Sequence, residues 1–299
     1  YKFLQVDLSN QDETLRAVLL SNPDYVINLA AESHVDRSIS QPYKFVTSNI
    51  IGTFNLLQAC LQHYKKLKNS RKSFFRFHHV STDEVFGSLG ETGTFSETTK
   101  YDPRSPYSAS KASSDHLVSA WQHTYDLPTI TTNCSNNFGP WQYPEKLIPL
   151  VINKALKYNK IPIYGDGLNV RDWLYVEDHI CAILIALTKG KIGSNYCIGA
   201  NNEKTNKEIV FSICTLMDEI RPTKFSYKEL ITFVDDRPGH DKRYSIDASL
   251  IKSELNWKPL IPFDEGLKIT VEWYVENQFW SNEKYDKSGY KGERIGLIK

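Results

Sequence analysis

Ser73-Phe-Phe-Arg-Phe-His-His-Val-Ser-Thr-Asp-Glu84 and, after a loop, Ser105-Pro-Tyr-Ser-Ala-Ser-Lys111 decide how this chain is read. The first stretch is rich in apolar residues and ends on Thr82-Asp83-Glu84, which fits a strand terminated by polar groups. The second opens a helix over residues 105–125, with Pro106 in the first turn, where a missing N–H costs no hydrogen bond. A short β-branched run over residues 128–134 follows and reads as the next strand. Strand, helix and strand in succession imply a parallel sheet. Sheets of this kind take their ligands at the carboxyl ends of the strands. Thr82-Asp83-Glu84 and the start of the 105–125 helix would both lie there.

Working outward, Asp24-Tyr-Val-Ile-Asn-Leu-Ala-Ala31 is a compact apolar run and is expected to be a buried parallel strand. Apolar residues at Phe45, Ile50, Phe54, Leu57 and Leu61 have helical spacing. The fold class is therefore α/β, a Rossmann-like doubly wound parallel sheet. From Gly139 prolines recur at 140, 144, 149 and 162 and the runs shorten. Helices are expected over 176–188, 205–217 and 264–277. Residues 1–138 read as a cofactor-type domain. Residues 139–299 read mainly as a smaller mixed α/β substrate lobe, with some segments returning to the main domain. Tyr1 to Asp7 reads as a strand, and the polar tail from Ser281 as mobile.

The chain has 299 residues, 36 basic against 35 acidic, and 40% hydrophobic content. That is enough for a sizeable core, and the balance of charge leaves no electrostatic footprint for nucleic acid or an anionic membrane. No apolar run of about 18 residues suggests a membrane span, and no signal peptide is visible. The five cysteines, at 60, 134, 181, 197 and 214, form no C-x-x-C pair. They read as buried free thiols in a reducing, cytoplasmic setting.

Tyr107 and Lys111 are one helical turn apart and share a face. A phenol beside an ammonium is expected to have a lowered pKa and to serve as a base near neutral pH. A Y-x-x-x-K spacing alone is common by chance; its place at the sheet edge gives it weight. Asp83 and Glu84 add a carboxylate pair that a simple alcohol oxidation does not need, which suggests oxidation coupled to elimination. In isolation the pair would read as a solvated strand end.

Gly87-Ser-Leu-Gly90-Glu-Thr-Gly93 has glycines at a tempting spacing, but no amphipathic helix follows to hold a pyrophosphate, so it is rejected as a dinucleotide loop. Asp7 could accept a hydrogen bond from an adenine amine or cap the helix that follows. His34 and Asp36 lack a second ligand pair, and no metal is expected. His78 and His79 read as packing residues on a strand. Lys146, Arg171 and Arg243 taken singly read as surface charges. Asp236-Arg237-Pro238-Gly239-His240 is more specific: the turn would aim Arg237 and His240 the same way, as paired cations for a diphosphate.

These segments, in this order, resemble the dTDP-glucose 4,6-dehydratase family of extended short-chain dehydrogenases/reductases. The resemblance runs through Leu29-Ala-Ala-Glu-Ser-His-Val-Asp-Arg-Ser38, Ser81-Thr-Asp-Glu-Val85, Tyr107-Ser-Ala-Ser-Lys111 and Asn136-Asn-Phe-Gly-Pro140. It continues through Pro144-Glu-Lys-Leu-Ile-Pro149, Pro162-Ile-Tyr-Gly-Asp-Gly167, Arg171-Asp-Trp-Leu-Tyr-Val-Glu-Asp-His179 and the 236–240 turn. It implies NAD as cofactor and dTDP-glucose as substrate, with Tyr107 removing the O4 proton, Lys111 assisting it and Thr82 bonded near O4. Glu84 is implied as the base at C5, and Asp83 as the acid for the departing C6 hydroxyl. Asp7, Leu8, Leu29, Ala30, Ala31, Glu32, Ser33 and Asn137, with Tyr107 and Lys111, are implied for NAD. Asn136, Lys146, Leu147, Pro162, Ile163, Tyr164, Arg171, Asn206, Arg237 and His240 are implied for the nucleotide sugar. A homodimer through the helices near 42–65 and 106–126 is implied as well. Family members begin with a glycine-rich phosphate loop, and roughly 50 residues on the scale of a βαβ unit are expected before Tyr1; without them NAD binding is expected to be weak. The alternatives are a dehydratase of CDP- or GDP-linked hexoses and a non-catalytic nucleotide-sugar-binding remnant.

Overall fold

The computed structural model describes residues 1–288. In chain order, α1 (Gln11–Ser21), β1 (Tyr25–Asn28), α2 (Val35–Ser40) and α3 (Pro42–Phe45) lead through a π-helical turn, Val46–Ile51, into α4 (Gly52–Lys66) and α5 (Asn69–Lys72). The sequence continues with β2 (Arg76–Thr82), a 3-10 turn Asp83–Phe86, α6 (Pro106–Tyr125), β3 (Thr129–Cys134), β4 (Asn136–Phe138) and α7 (Leu147–Leu156). Then come β5 (Ile161–Tyr164), β6 (Val170–Tyr175), α8 (Val176–Lys189), β7 (Asn195–Ile198) and β8 (Glu203–Thr205). The last elements are α9 (Asn206–Ile220), β9 (Ile231–Val234), α10 (Ser249–Leu255), α11 (Phe263–Glu276) and α12 (Gln278–Ser288).

β1, β2, β3 and β7 form a four-stranded sheet in that order, and every pair is parallel. Alternation along β2 shows why both faces are covered. Phe77 packs with α1, α4 and α6 residues Val18, Leu57 and Val118. His78 faces the other way, toward Thr132 and α8, and Ile130 and Ile198 join the core under α8 and α10. The doubly wound reading is therefore correct. β7 comes from the second half of the chain and closes the far side of the sheet. A separate lobe has β4-β6-β8 and β5-β9 packed with α7, α9 and α11 around Phe138, Ile152, Trp173, Ile213 and Val271. Between the lobes Gly139 has φ +153°, and a Cβ there would lie 2.4 Å from Val176 Cγ1, so this crossing takes no other residue.

Helix α6 starts where the capping residues dictate. Ser105 accepts from the backbone N–H of Ser108, Ser108 Oγ returns the bond to Ser105 N, and Pro106 occupies the first turn. The helices expected over 105–125, 176–188, 205–217 and 264–277 all form.

Several expectations change. β1 is half exposed, because only β2 pairs with it and its other edge carries no strand among the described residues. Tyr1–Asp7 pairs with no strand there, forms no regular element and is largely exposed, since a lone segment gains no ladder bonds. The helix expected through Phe45–Cys60 is interrupted by the π turn. Of the tail from Ser281, residues up to 288 are helical, with Ser281 buried and its hydroxyl bonded to Asn153 Oδ1 at 2.9 Å; the remainder lies outside the described residues. Four of the cysteines are buried free thiols, but Cys181 is exposed on α8. Among the described residues no helix is long and apolar enough to cross a membrane.

Ser105→Ala should lower stability by about 1 kcal/mol by leaving first-turn N–H groups of α6 unpaired, read as a lower urea midpoint at unchanged slope.

Candidate active site

The carboxyl end of β2 turns sharply after Thr82. Thr82 Oγ1 accepts from Glu84 N at 3.3 Å, capping the 3-10 turn, and lies 3.3 Å from Asp83 Oδ1. The Thr82 hydroxyl also acts on the Tyr107 phenol, lowering its pKa against the effect of burial. Thr82 is thus the link between the base expected on α6 and the carboxylate pair on β2. Tyr107 is buried, with Phe45 edge-on at 6.3 Å between ring centroids. Lys111 Nζ donates to Val80 O at 2.9 Å, tying α6 to β2.

Beneath this layer Asp115, a further turn along α6, collects buried donors. Its Oδ2 accepts from Ser81 Oγ and Tyr101 Oη, each at 2.8 Å, and its Oδ1 lies 3.2 Å from His79 Nε2. His79 Nδ1 reaches Asn28 at 3.2 Å. Burial lowers the His79 pKa, with Lys111 adding to it, which favours a neutral imidazole beside the Asp115 carboxylate.

The π turn carries Asn49 inward. Its side chain accepts from Glu32 N at 2.8 Å and donates to Glu32 O at 3.0 Å and Ser110 Oγ at 2.8 Å. One side chain therefore fastens the loop after β1 to the helix that bears Tyr107. Extra turns of this kind recur at functional sites because they redirect one residue without ending the helix.

Between the lobes lies a cavity that takes Glu84 from the turn after β2, Asn136 from the start of β4, and Ser33 to Asp36 from the end of the β1–α2 loop and the first turn of α2. Its far side is made by Lys146, Leu147, Pro162, Ile163, Tyr164, Arg171, Asn206, Arg237 and His240. The basic residues that look scattered along the chain converge here. Arg171 stacks on the Tyr244 ring at 4.1 Å and donates to Asp241 O at 3.0 Å. Lys146 Nζ donates to Ser33 O at 2.5 Å, and Arg37 pairs with Glu145 at 2.8 Å, so both lobes are fastened across the cavity.

Electrostatics separates the two acids. Burial, then the Glu84 charge, raises Asp83 well above the carboxylate range, which favours its protonated form. Glu84 is also raised by burial, but Arg237, Lys146 and Arg171 pull it back.

With this geometry in place, the chain compares closely with known proteins. A family model described as GDP-mannose 4,6 dehydratase matches residues 1–270. A probable dTDP-glucose 4,6-dehydratase of Sinorhizobium fredii is 52% identical over 298 residues, which is 100% of this chain and 85% of that protein. The chain belongs to the dTDP-glucose 4,6-dehydratase family. The crystal structure of DesIV, the dTDP-glucose 4,6-dehydratase of Streptomyces venezuelae, has 39% identity and a TM-score of 0.85, covering 95% of this chain and 82% of DesIV. The dTDP-glucose 4,6-dehydratase of Bacillus anthracis in complex with NAD has 44% identity and a TM-score of 0.82, covering 95% of this chain and 83% of that one.

Against this family frame, three sequence expectations need correction. The Tyr107 pKa is not lowered but raised well above the phenol value, by burial and then by Glu84. Lys111, the expected partner of the phenol, donates to a strand carbonyl instead. His240 is not a second cation: burial, then Arg237 and Arg171, push it down to about 4, and its ring bonds to Asp236 at 2.6 Å. Asp7 is exposed and accepts from Ser9 N, while Asn10 caps α1. Leu8 packs against Gly52 at the start of α4 and Leu29 is exposed beyond β1. Reading the sequence misses Asp36, Asn49, Asp115 and Tyr244. The i+4 step from Lys111 to Asp115 is the one signal that could have found any of them.

Replacing Arg237 with Gln removes the largest charge that lowers Glu84. The Glu84 pKa should move up, followed as its carboxyl 13C shift against pH in the ligand-free protein; an unchanged titration would show that Arg237 does not act on it.

Proposed function

We propose that this chain dehydrates dTDP-glucose to dTDP-4-keto-6-deoxyglucose. The observation that carries this reading is the Asp83–Glu84 pair, Asp83 buried and Glu84 at the cavity, both bonded to Thr82, which also acts on the Tyr107 phenol. An alcohol base alone serves oxidation; an adjoining protonated acid and a second, more readily ionised carboxylate also serve loss of water.

NAD is the cofactor, and the residues present fit its nicotinamide-ribose half. Lys111 is a buried ammonium with three donors, one of them spent on Val80 O. Asn137 presents a buried Oδ1 with no partner among the described residues, and the loop from Leu29 to Ser33 opens at the end of β1. When bound, NAD supplies the two-electron acceptor at C4 and the donor at C6. A cationic ring near Tyr107 would favour the phenolate that burial disfavours in the free protein. Tyr107 takes the O4 proton, and Thr82 holds the oxygen. The C4 ketone then acidifies C5, where Glu84 removes the proton. Asp83, kept protonated by burial, gives its proton to the C6 hydroxyl, and water leaves. Glu84 finally returns a proton to C5.

Arg171, Arg237 and Lys146 suit the diphosphate of the sugar nucleotide, with Asn136, Asn206 and neutral His240 as hydrogen-bonding groups and Leu147, Pro162, Ile163 and Tyr164 around the nucleoside. In this reading residues 1–138 serve mainly NAD and residues 139–299 mainly the nucleotide sugar. The reading extends to a cytoplasmic homodimer. Support for the dimer comes from exposed apolar side chains on one stretch, Tyr43, Val46 and Ile51, beside α4 and α6. Sedimentation equilibrium should give twice the chain mass, and charged substitutions at Val46 and Ile51 should halve it.

Incubation with NAD and dTDP-glucose should yield the 4-keto-6-deoxy product; turnover of GDP- or CDP-linked hexose instead would reassign the substrate, and turnover of none would leave a binding protein. Tyr107→Phe should cut C4 oxidation by about 10²–10⁴-fold, monitored as NADH absorbance in a single turnover. Glu84→Gln should suppress exchange of the C5 proton with solvent deuterium while C4 oxidation persists. Undiminished exchange would move the base elsewhere.

A further inference from the structure

Asp36 is a buried acid that belongs to the β1–α2 side of the cavity, yet its partner comes from the far lobe. Its Oδ1 accepts from Arg237 Nη1 at 2.6 Å, and its Oδ2 faces the Tyr164 hydroxyl at 3.5 Å. We propose that Asp36 is a positioning residue that aims the Arg237 guanidinium at the diphosphate of the substrate. The proposal rests on the reading of Arg237 as a diphosphate ligand and adds the residue that makes it one.

The geometry of the guanidinium carries the argument. Its five donors lie in one plane. Occupation of Nη1 by Asp36 leaves the opposite edge, Nε with Nη2, which is the fork that binds phosphate with two parallel hydrogen bonds. Nε of Arg237 is buried and meets no acceptor among the described residues. A buried charged donor without an acceptor is costly, so this edge is built for an anion arriving in the cavity. Arg237 itself sits in the 236–239 turn, whose Asp236, Pro238 and Gly239 are exposed, while its side chain reaches inward and its guanidinium meets Asp36 there. Asp36 on a helix of the other lobe supplies the restraint before substrate arrives, and the rotamer freedom of the arginine is lost in advance.

Charge alone predicts the opposite effect. A carboxylate beside a diphosphate repels it, and its removal would tighten anion binding; loss of orientation weakens it. The sign of the change therefore decides. In calorimetric titration with dTDP, Asp36→Ala should bind about 10-fold more weakly, the scale of one hydrogen bond to a charged group. KM for dTDP-glucose should rise by the same factor, with the loss confined to KM, and thymidine, which has no phosphate, should bind as to the wild type. Asp36→Asn keeps the shape and a carbonyl acceptor and should fall between; it carries the test if the alanine variant unfolds at a lower temperature. Asp36→Ala combined with Arg237→Ala should bind dTDP no more weakly than Arg237→Ala alone. Equal or tighter dTDP binding by both Asp36 variants overturns the proposal. Wild-type dTDP affinity in Arg237→Ala would instead overturn the reading of Arg237 on which it rests.

Discussion

Two neighbouring carboxyl groups, Asp83 and Glu84, must be held at the end of one parallel strand, one of them nearly out of reach of water. Much of the surrounding structure answers that constraint. Asp83 is 1% exposed and its Oδ2 has no hydrogen-bond partner among the described residues, a cost met by keeping it protonated. Glu84 faces the cavity, where Arg237, Lys146 and Arg171 offset its burial. These cations all come from the second lobe, so the protonation states of the two acids depend on the lobes meeting. The same parallel sheet that brings Thr82 and Tyr107 together also delivers the strand ends to that meeting place.

The local parts of this arrangement were legible in the sequence. Thr82-Asp83-Glu84 closes a strand, and Tyr107 and Lys111 fall on one face of a helix whose start Ser105 and Pro106 announce. These are short-range patterns, and they report short-range structure. What was not legible depends on contacts between distant positions. Arg237 and Asp36 are 201 residues apart, and neither segment alone signals the other. The inversion at Tyr107 has the same origin. Spacing placed the ammonium near the phenol, but burial and then the Glu84 charge set the sign. His240 followed the same course, being cationic on paper and neutral once buried among arginines. Asn49 was hidden differently: its role needs the π turn, which the apolar spacing of Phe45 to Leu61 does not reveal.

The fastenings between the lobes bear on modularity. Lys146 reaches the Ser33 carbonyl, Arg37 pairs with Glu145, and Arg237 pairs with Asp36. A second lobe transplanted from a relative would arrive without its counterparts in residues 33–37, at the start of α2. The exchangeable unit is therefore discontinuous: the second lobe together with residues 33–37, although those five residues belong by sequence to the first half of the chain.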